Sequence, residues 1–139
     1  MLVPSIWILR KFLANAIHLP VHNRNMHSPT MNVKDVQALV RLQSSENLSA
    51  VNDHRITLKD ALVEPRTISV IARQVTKGRT SDELSTVWLV GQENGPEGYQ
   101  IILRGDGSQF GLASKGFPDD KAPVLVGWYG DLLTAFLGM

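Results

Sequence analysis

The fold is decided by residues 86–104, which read TVWLVGQENGPEGYQIILR. The first seven residues are apolar on both alternating faces, as is typical of a strand in the centre of a sheet. Residues 99–104 again alternate and predict a second strand. Between them, Asn94–Gly98 combines Asn-Gly with a proline, a composition that predicts a tight turn. The stretch therefore predicts two neighbouring antiparallel strands.

The alternation extends to both sides of this stretch. Residues 67–73 follow a period of two, which predicts a strand ahead of it. Gly105–Gly107 is a second turn signal, and Ser108–Ser114 offers a fourth strand. Lys77–Ser85 is polar and is predicted to be a loop around Gly78. Together these segments predict an antiparallel β-meander of three to four strands.

Helical spacing precedes the meander. Asn32 can cap a helix that runs to about Gln43, because apolar residues recur there with a helical period. Thr57 precedes Asp60 by three residues, which resembles a capping box for a short turn through Val63.

The C-terminal segment is the most apolar part of the chain. Pro123 suits the first turn of a helix, and apolar residues recur at helical spacing from there to the end. An alternative keeps residues 123–129 as a strand and begins the helix at Asp131. Either segment would cover one face of the meander. The predicted fold class is therefore α+β, a two-layer sandwich of the meander with an N-terminal helix and an apolar C-terminal helix.

The charge distribution divides the chain near Met31. Residues 1–30 carry three basic residues and no acid, for a charge of +3, whereas residues 31–139 carry eleven basic and thirteen acidic residues, for a charge of −2. Three interpretations of this basic leader stay open: an unstructured targeting segment, an interfacial helix, or a misassigned translation start, with Met31 favoured over Met26 as the true start. Residues 31–139 are predicted to form a single α+β domain, and a membrane partner is expected only if residues 1–30 are real.

Composition excludes several classes of protein. The 139 residues are 43% hydrophobic with a net charge of +1, which does not fit a wholly disordered chain. No apolar run reaches the length of a membrane-spanning helix. The absence of cysteine excludes disulfides, a thiol nucleophile and cysteine-based zinc sites, and it favours a cytoplasmic location.

Catalytic signals are sparse. Asp53-His54 could orient an imidazole for base catalysis, and Asp106 could join them in a cleft beside the meander. The glycines around Gly105 do not have the spacing of a dinucleotide-binding loop, and no Gly-x-Ser-x-Gly nucleophile motif occurs. No catalytic residue, cofactor or metal is therefore predicted, and a small-molecule-binding domain or enzyme stays an alternative built on these three residues.

Surface apolarity suggests the first hypothesis for function. A small sheet that is apolar on both faces needs a second cover, either a helix of its own or another protein. The sequence therefore predicts a non-catalytic protein–protein interaction module or accessory subunit, either a homodimer or bound to another protein. The predicted interface residues are Trp88, Val90, Ile102, Trp128 and Tyr129.

Basic residues around the first strand suggest a second hypothesis, nucleic-acid binding. Acidic residues follow the cluster directly, and no aromatic stacking surface is interleaved with it. The predicted contact residues are Arg66, Arg73, Lys77, Arg79 and Arg104.

Overall fold

The computed structural model describes residues 29–95, 98–115 and 119–139. Residues 1–28 of the predicted basic leader lie outside the described residues, and so do the middle of the predicted Asn94–Gly98 turn and residues 116–118. The described chain is mostly β-structure with short helices. Its elements are α1 (Val33–Ser44), α2 (Leu58–Ala61), β1 (Leu62–Thr76), β2 (Arg79–Gln92), β3 (Tyr99–Leu103), β4 (Phe110–Ser114), β5 (Val124–Gly130) and α3 (Leu132–Leu137).

Local side-chain caps begin the first two helices where the sequence predicts them. The side chain of Asn32 accepts a hydrogen bond of 2.9 Å from the backbone N–H of Asp35. The hydroxyl of Thr57 accepts one of 3.2 Å from the N–H of Asp60. Such caps satisfy backbone donors that have no partner within the helix, so both predicted starts are confirmed. The predicted end of the short turn at Val63 is wrong, because α2 ends at Ala61 and Val63 already belongs to β1. Among the described residues, no helix is long and apolar enough to cross a membrane.

β1 and β2 form one long hairpin of 15 and 14 residues. They are joined by a two-residue turn, in which Lys77 and Gly78 have φ angles of 52° and 77°. Positive φ at both positions is the geometry of the type I′ turn that connects antiparallel strands. The predicted loop over Lys77–Ser85 is therefore wrong: apart from the turn, those residues are strand. They lack apolar alternation because both of their faces lie in solvent.

The five strands close into a barrel in the order β1-β2-β3-β4-β5. Neighbours along the chain are antiparallel, and β5 returns to β1 through a parallel bridge between Ile71 and Val124. The predicted fold class, an open meander in a two-layer α+β sandwich, is therefore wrong. An odd number of strands that alternate in direction can close only through one parallel pair, and this bridge supplies it.

Barrel closure explains why the sheet is apolar on both faces. The inner face packs against itself, and its buried core is Val70, Val87, Ile102 and Ala113, flanked by Ile68, Leu125 and Trp128. The outer face is covered by the three helices: Trp88, Val90 and Phe110 lie in one buried cluster with residues of α1, α2 and α3. Over β2, β3 and β4, each face is thus removed from water by a different part of the same chain.

The chain after Pro123 is strand before it is helix. The predicted helix from Pro123 is wrong, and the alternative of a strand followed by a helix from Asp131 is correct. The reason is packing on the barrel, because the ring of Trp128 lies against the backbone of Gly111, where β4 pairs with β5. The side chain of Asp131 then caps α3 by accepting a hydrogen bond of 2.7 Å from the N–H of Thr134.

Candidate interaction surface

The outer end of the β1–β2 hairpin projects from the barrel. We call residues 72–85 the distal hairpin. Every residue from Arg73 to Leu84 is exposed, on both faces of the two strands. Because their side chains lie in solvent, these residues contribute little to the core. The distal hairpin therefore extends into solvent and is not packed into the core of the described chain.

Exposed apolar side chains lie on one face of the distal hairpin. The strand register places Leu84 opposite Ile71 and Val75 opposite Thr80, so these four side chains share a face. The exposed fractions of Val75 and Leu84 are 70% and 53%. β-Branched and leucine side chains gain by leaving water, so this face can bind apolar groups of a partner.

An ion-pair cluster fixes the base of the same face. The guanidinium of Arg73 donates hydrogen bonds of 2.9 and 3.0 Å to both carboxylate oxygens of Asp82, and one of 2.9 Å to Asp120. The hydrogen bonds to Asp82, which have the larger effect, and to Asp120 raise the pKa of Arg73 above its ordinary value. The hydrogen bonds from Arg73 hold the pKa of Asp82 below its ordinary value. The cluster ties the segment before β5 to the hairpin.

Replacing Arg73 with glutamine should raise the pKa of Asp82 toward its ordinary value of 3.8. A carboxylate whose pKa is lower in the folded state stabilises the fold above its unfolded pKa, and that stabilisation is lost as the pH falls through the folded value. The pKa can be read from a carboxyl ¹³C NMR titration of the two proteins. Arg79→Gln, on the same hairpin, is the matched control and should leave Asp82 unchanged. Identical titration of Asp82 in wild type and Arg73→Gln would contradict the pairing.

The β2 edge of the distal hairpin is open. β2 pairs with β3 from Trp88 onward, so residues 79–87 have no strand on that side among the described residues. In a two-residue hairpin the residues next to the turn exchange both backbone hydrogen bonds, and alternate pairs point away. Thr80, Asp82 and Leu84 therefore direct their N–H and C=O groups outward. The same rule points the N–H of Ile71 away from β2, and it donates to the carbonyl of Pro123.

The predicted interface residues divide between core and surface. Trp88, Val90 and Ile102 are buried, with exposed fractions of 7%, 0% and 0%. Trp128 is half-buried against the barrel interior, and Tyr129 lies at the surface with 36% exposed. The five predicted interface residues therefore do not form one surface: some lie in the helix-covered cluster, some in the barrel interior, and Tyr129 lies on the exposed side of β5. Exposed apolar area of the described chain lies instead at positions such as Val75 and Leu84, which the sequence analysis passed over.

The five predicted nucleic-acid contacts do not form one patch. Arg66 lies near the start of β1, while Lys77 and Arg79 lie at the hairpin tip, about 33 Å away along an extended strand. Arg73 is paired with two carboxylates. The guanidinium of Arg104 lies 5.2 Å from the ring centroid of Trp128, in a cation–π contact. The five residues therefore do not form a continuous basic stripe, and nucleic-acid binding stays a prediction.

His54 has a partner that the sequence analysis missed. Its Nδ1 lies 2.8 Å from Oε1 of Glu93, and its ring stacks on Tyr99 with centroids 6.1 Å apart. Asp53 is exposed and is not the partner. Asp106 accepts hydrogen bonds from Ser108 in the turn after β3, whereas Tyr99 begins that strand. The three predicted residues therefore do not converge.

Two further features bear on small-molecule binding. An open cleft of about 450 Å³ lies between α1 and the start of β1, where Gln37 donates a hydrogen bond to Glu64. It does not include His54 or Glu93. Within the described ranges, no three histidine or acidic side chains come together as metal ligands would.

No protein-family model, curated protein or solved structure matches this chain. The function proposed below therefore rests on the geometry of the distal hairpin.

Proposed function

We propose that the protein is a non-catalytic protein-binding module whose contact element is the distal hairpin. The observation that carries this proposal is the exposure of Val75 and Leu84 on one face of a projecting ribbon. Apolar side chains in that position are unfavourably hydrated in the free protein. Covering them with a partner removes apolar surface from water and so favours binding.

Two local contacts that order the hairpin support the same role. The tight turn at Lys77-Gly78 holds the tip, and the Arg73–Asp82–Asp120 cluster holds the base. A binding element that is ordered before it meets its partner loses less conformational entropy on association. The β2 edge adds free backbone donors and acceptors, which can pair with a strand of a partner.

Site-specific photo-crosslinking tests this proposal in the cells that make the protein. A photoreactive amino acid replaces Val75 or Leu84 in the full chain, and Val51, which is 55% exposed outside the hairpin, is the matched control. We expect protein adducts of defined mass from the two hairpin positions and none from Val51. Equal yields at all three positions, or no protein adducts at the hairpin, would refute the proposal.

A second variant separates specific contact from mere accessibility. With the photoreactive residue at Thr80, which is exposed on the same face of the hairpin as Val75, Val75→Ser with Leu84→Ser should abolish the adduct. Retention of the adduct in this double variant would mean that the apolar face does not bind the partner. Circular dichroism of the variant checks that the barrel is intact.

A further inference from the structure

The open edge of β2 has a charge pattern that is complementary to itself. Arg79 and Glu83 lie on the face opposite to Leu84. Arg79 is two residues before Ser81 and Glu83 two residues after it, so the three side chains share that face. Neither has a charged partner among the described residues. An antiparallel strand with the same sequence, centred on the same serine, would place an arginine opposite each glutamate.

We propose that a second copy of this chain pairs with the β2 edge, as an antiparallel two-fold dimer centred on Ser81. This proposal rests on the proposed function and names a partner for the β2 edge of the hairpin. Thr80 of each copy then exchanges both backbone hydrogen bonds with Asp82 of the other. Arg79 of each copy faces Glu83 of the other, so the contact contains two identical ion pairs. A two-fold axis makes such an interface self-complementary.

Other pairings of the same edge are less favourable. Only residues that point outward on both strands can exchange hydrogen bonds, so the two-fold axis must pass through a residue. Centres at Asp82 or Glu83 place like charges directly opposite each other. A centre at Leu84 would bring the hairpin tip of one copy beside Trp88 of the other, where β3 already pairs.

A centre at Thr80 is excluded by the turn. It would need Lys77 and Gly78 to extend the ladder, and their positive φ angles are not those of a strand. The hydrogen-bonded pairs of the Ser81 centre, Thr80 with Asp82, use extended residues alone. It also places Leu84 of one copy beside Gly78 of the other, where no atom lies within 4 Å of the side-chain position.

The interface is short, so the dimer should be weak and dependent on concentration. Sedimentation velocity of the full chain over a wide concentration range tests it. We expect wild type to show a monomer–dimer equilibrium. Glu83→Arg and Arg79→Glu should each weaken dimerisation about tenfold or more, because each replaces two attractive pairs by two repulsive ones.

Mixing the two variants provides the decisive experiment. Arg79 and the new arginine of Glu83→Arg face two glutamates in Arg79→Glu, so an equimolar mixture should recover association as a heterodimer. Recovery shows that neither variant failed through misfolding. Lys77→Glu, in the turn and outside the ladder, is the matched control and should dimerise like wild type.

Three results would overturn the inference: a wild-type chain that stays monomeric, single variants that dimerise like wild type, or a mixture that does not associate. The photo-crosslinking experiment distinguishes this from failure of the proposed function. Adducts to a different protein from a monomeric chain would leave the proposed function standing. The absence of hairpin adducts would reject the proposed function, whereas the sedimentation results decide the dimer.

Discussion

Replacing Phe136 with alanine is expected to lower the free energy of unfolding by about 3–5 kcal/mol, because it removes a large ring from a sealed core. The Phe136 side chain is fully buried, in one cluster with Leu39 of α1 and Leu112 of β4. α3 has six residues, too few to be stable alone, so its position depends on this packing. A domain of this size is stable by about 5–15 kcal/mol in total, so the variant should be close to unfolding at ambient temperature.

Urea denaturation followed by tryptophan fluorescence measures this loss. Leu137→Ala is the matched control in the same helix: its side chain is 47% exposed, and the change should cost under about 1 kcal/mol. If Phe136→Ala and Leu137→Ala cost the same, α3 is not the cover of the outer sheet face. The comparison thus tests the helix-covered core without reference to function.

The elements that sequence analysis predicted correctly are those with local causes. α1 begins after Asn32 because one side chain satisfies an N–H three residues later, a pattern visible in the sequence. The turn at Gly105–Gly107 is equally local: Gly107 has a φ of 78°, and its N–H donates to the carbonyl of Arg104. Such signals depend on neighbours within a few residues.

The distal hairpin was missed because its strand signal depends on burial. Alternation of apolar and polar residues identifies a strand when one face is covered, and neither face of residues 79–84 is covered. Lys77-Gly78 did carry a usable signal, since glycine accepts the positive φ of a tight hairpin turn. Read together with the apolar run at Val87–Val90, it could have extended the strand through the polar residues.

Closure of the barrel was beyond local reasoning. It depends on a bridge between Ile71 of the first strand and Val124 of the last strand. It also depends on register shifts within β5, which bend the sheet. The two-faced apolar pattern was recognised, but a second layer was expected to hide it. Closure hides one face of the same sheet instead, which is why Ile102 is core rather than surface.

The candidate site was predictable to a smaller extent. His54 was recognised as a possible functional group, but Glu93 lies 39 residues away, and only the fold brings them together. The cations at the hairpin were noticed, yet their distribution between the tip, the base and the far end of β1 depends on strand length. The sequence thus shows which charged and polar groups are present, but the non-local pairing of strands decides which of them lie close together.

The strongest test of that non-local packing is at Gly111. A Cβ added there would lie 2.4 Å from the carbonyl oxygen of Gly127 and 2.6 Å from a ring carbon of Trp128. One neighbour is backbone and the other is a ring packed against the barrel interior, so neither can move without opening the β4–β5 contact. Gly111→Ala should therefore lower the free energy of unfolding by about 3 kcal/mol, at the upper end for overpacking a core.

Gly127→Ala is the matched control for this prediction, on the partner strand. Its added Cβ meets nothing nearer than 3.6 Å, an ordinary contact with the ring of Tyr129. The control should therefore cost under about 1 kcal/mol in the same urea titration. Because Trp128 reports on the contact directly, its fluorescence should also shift to longer wavelength in folded Gly111→Ala as the ring is displaced toward water. If both alanine variants are equally stable, Trp128 does not pack across Gly111, and the barrel does not close at that point.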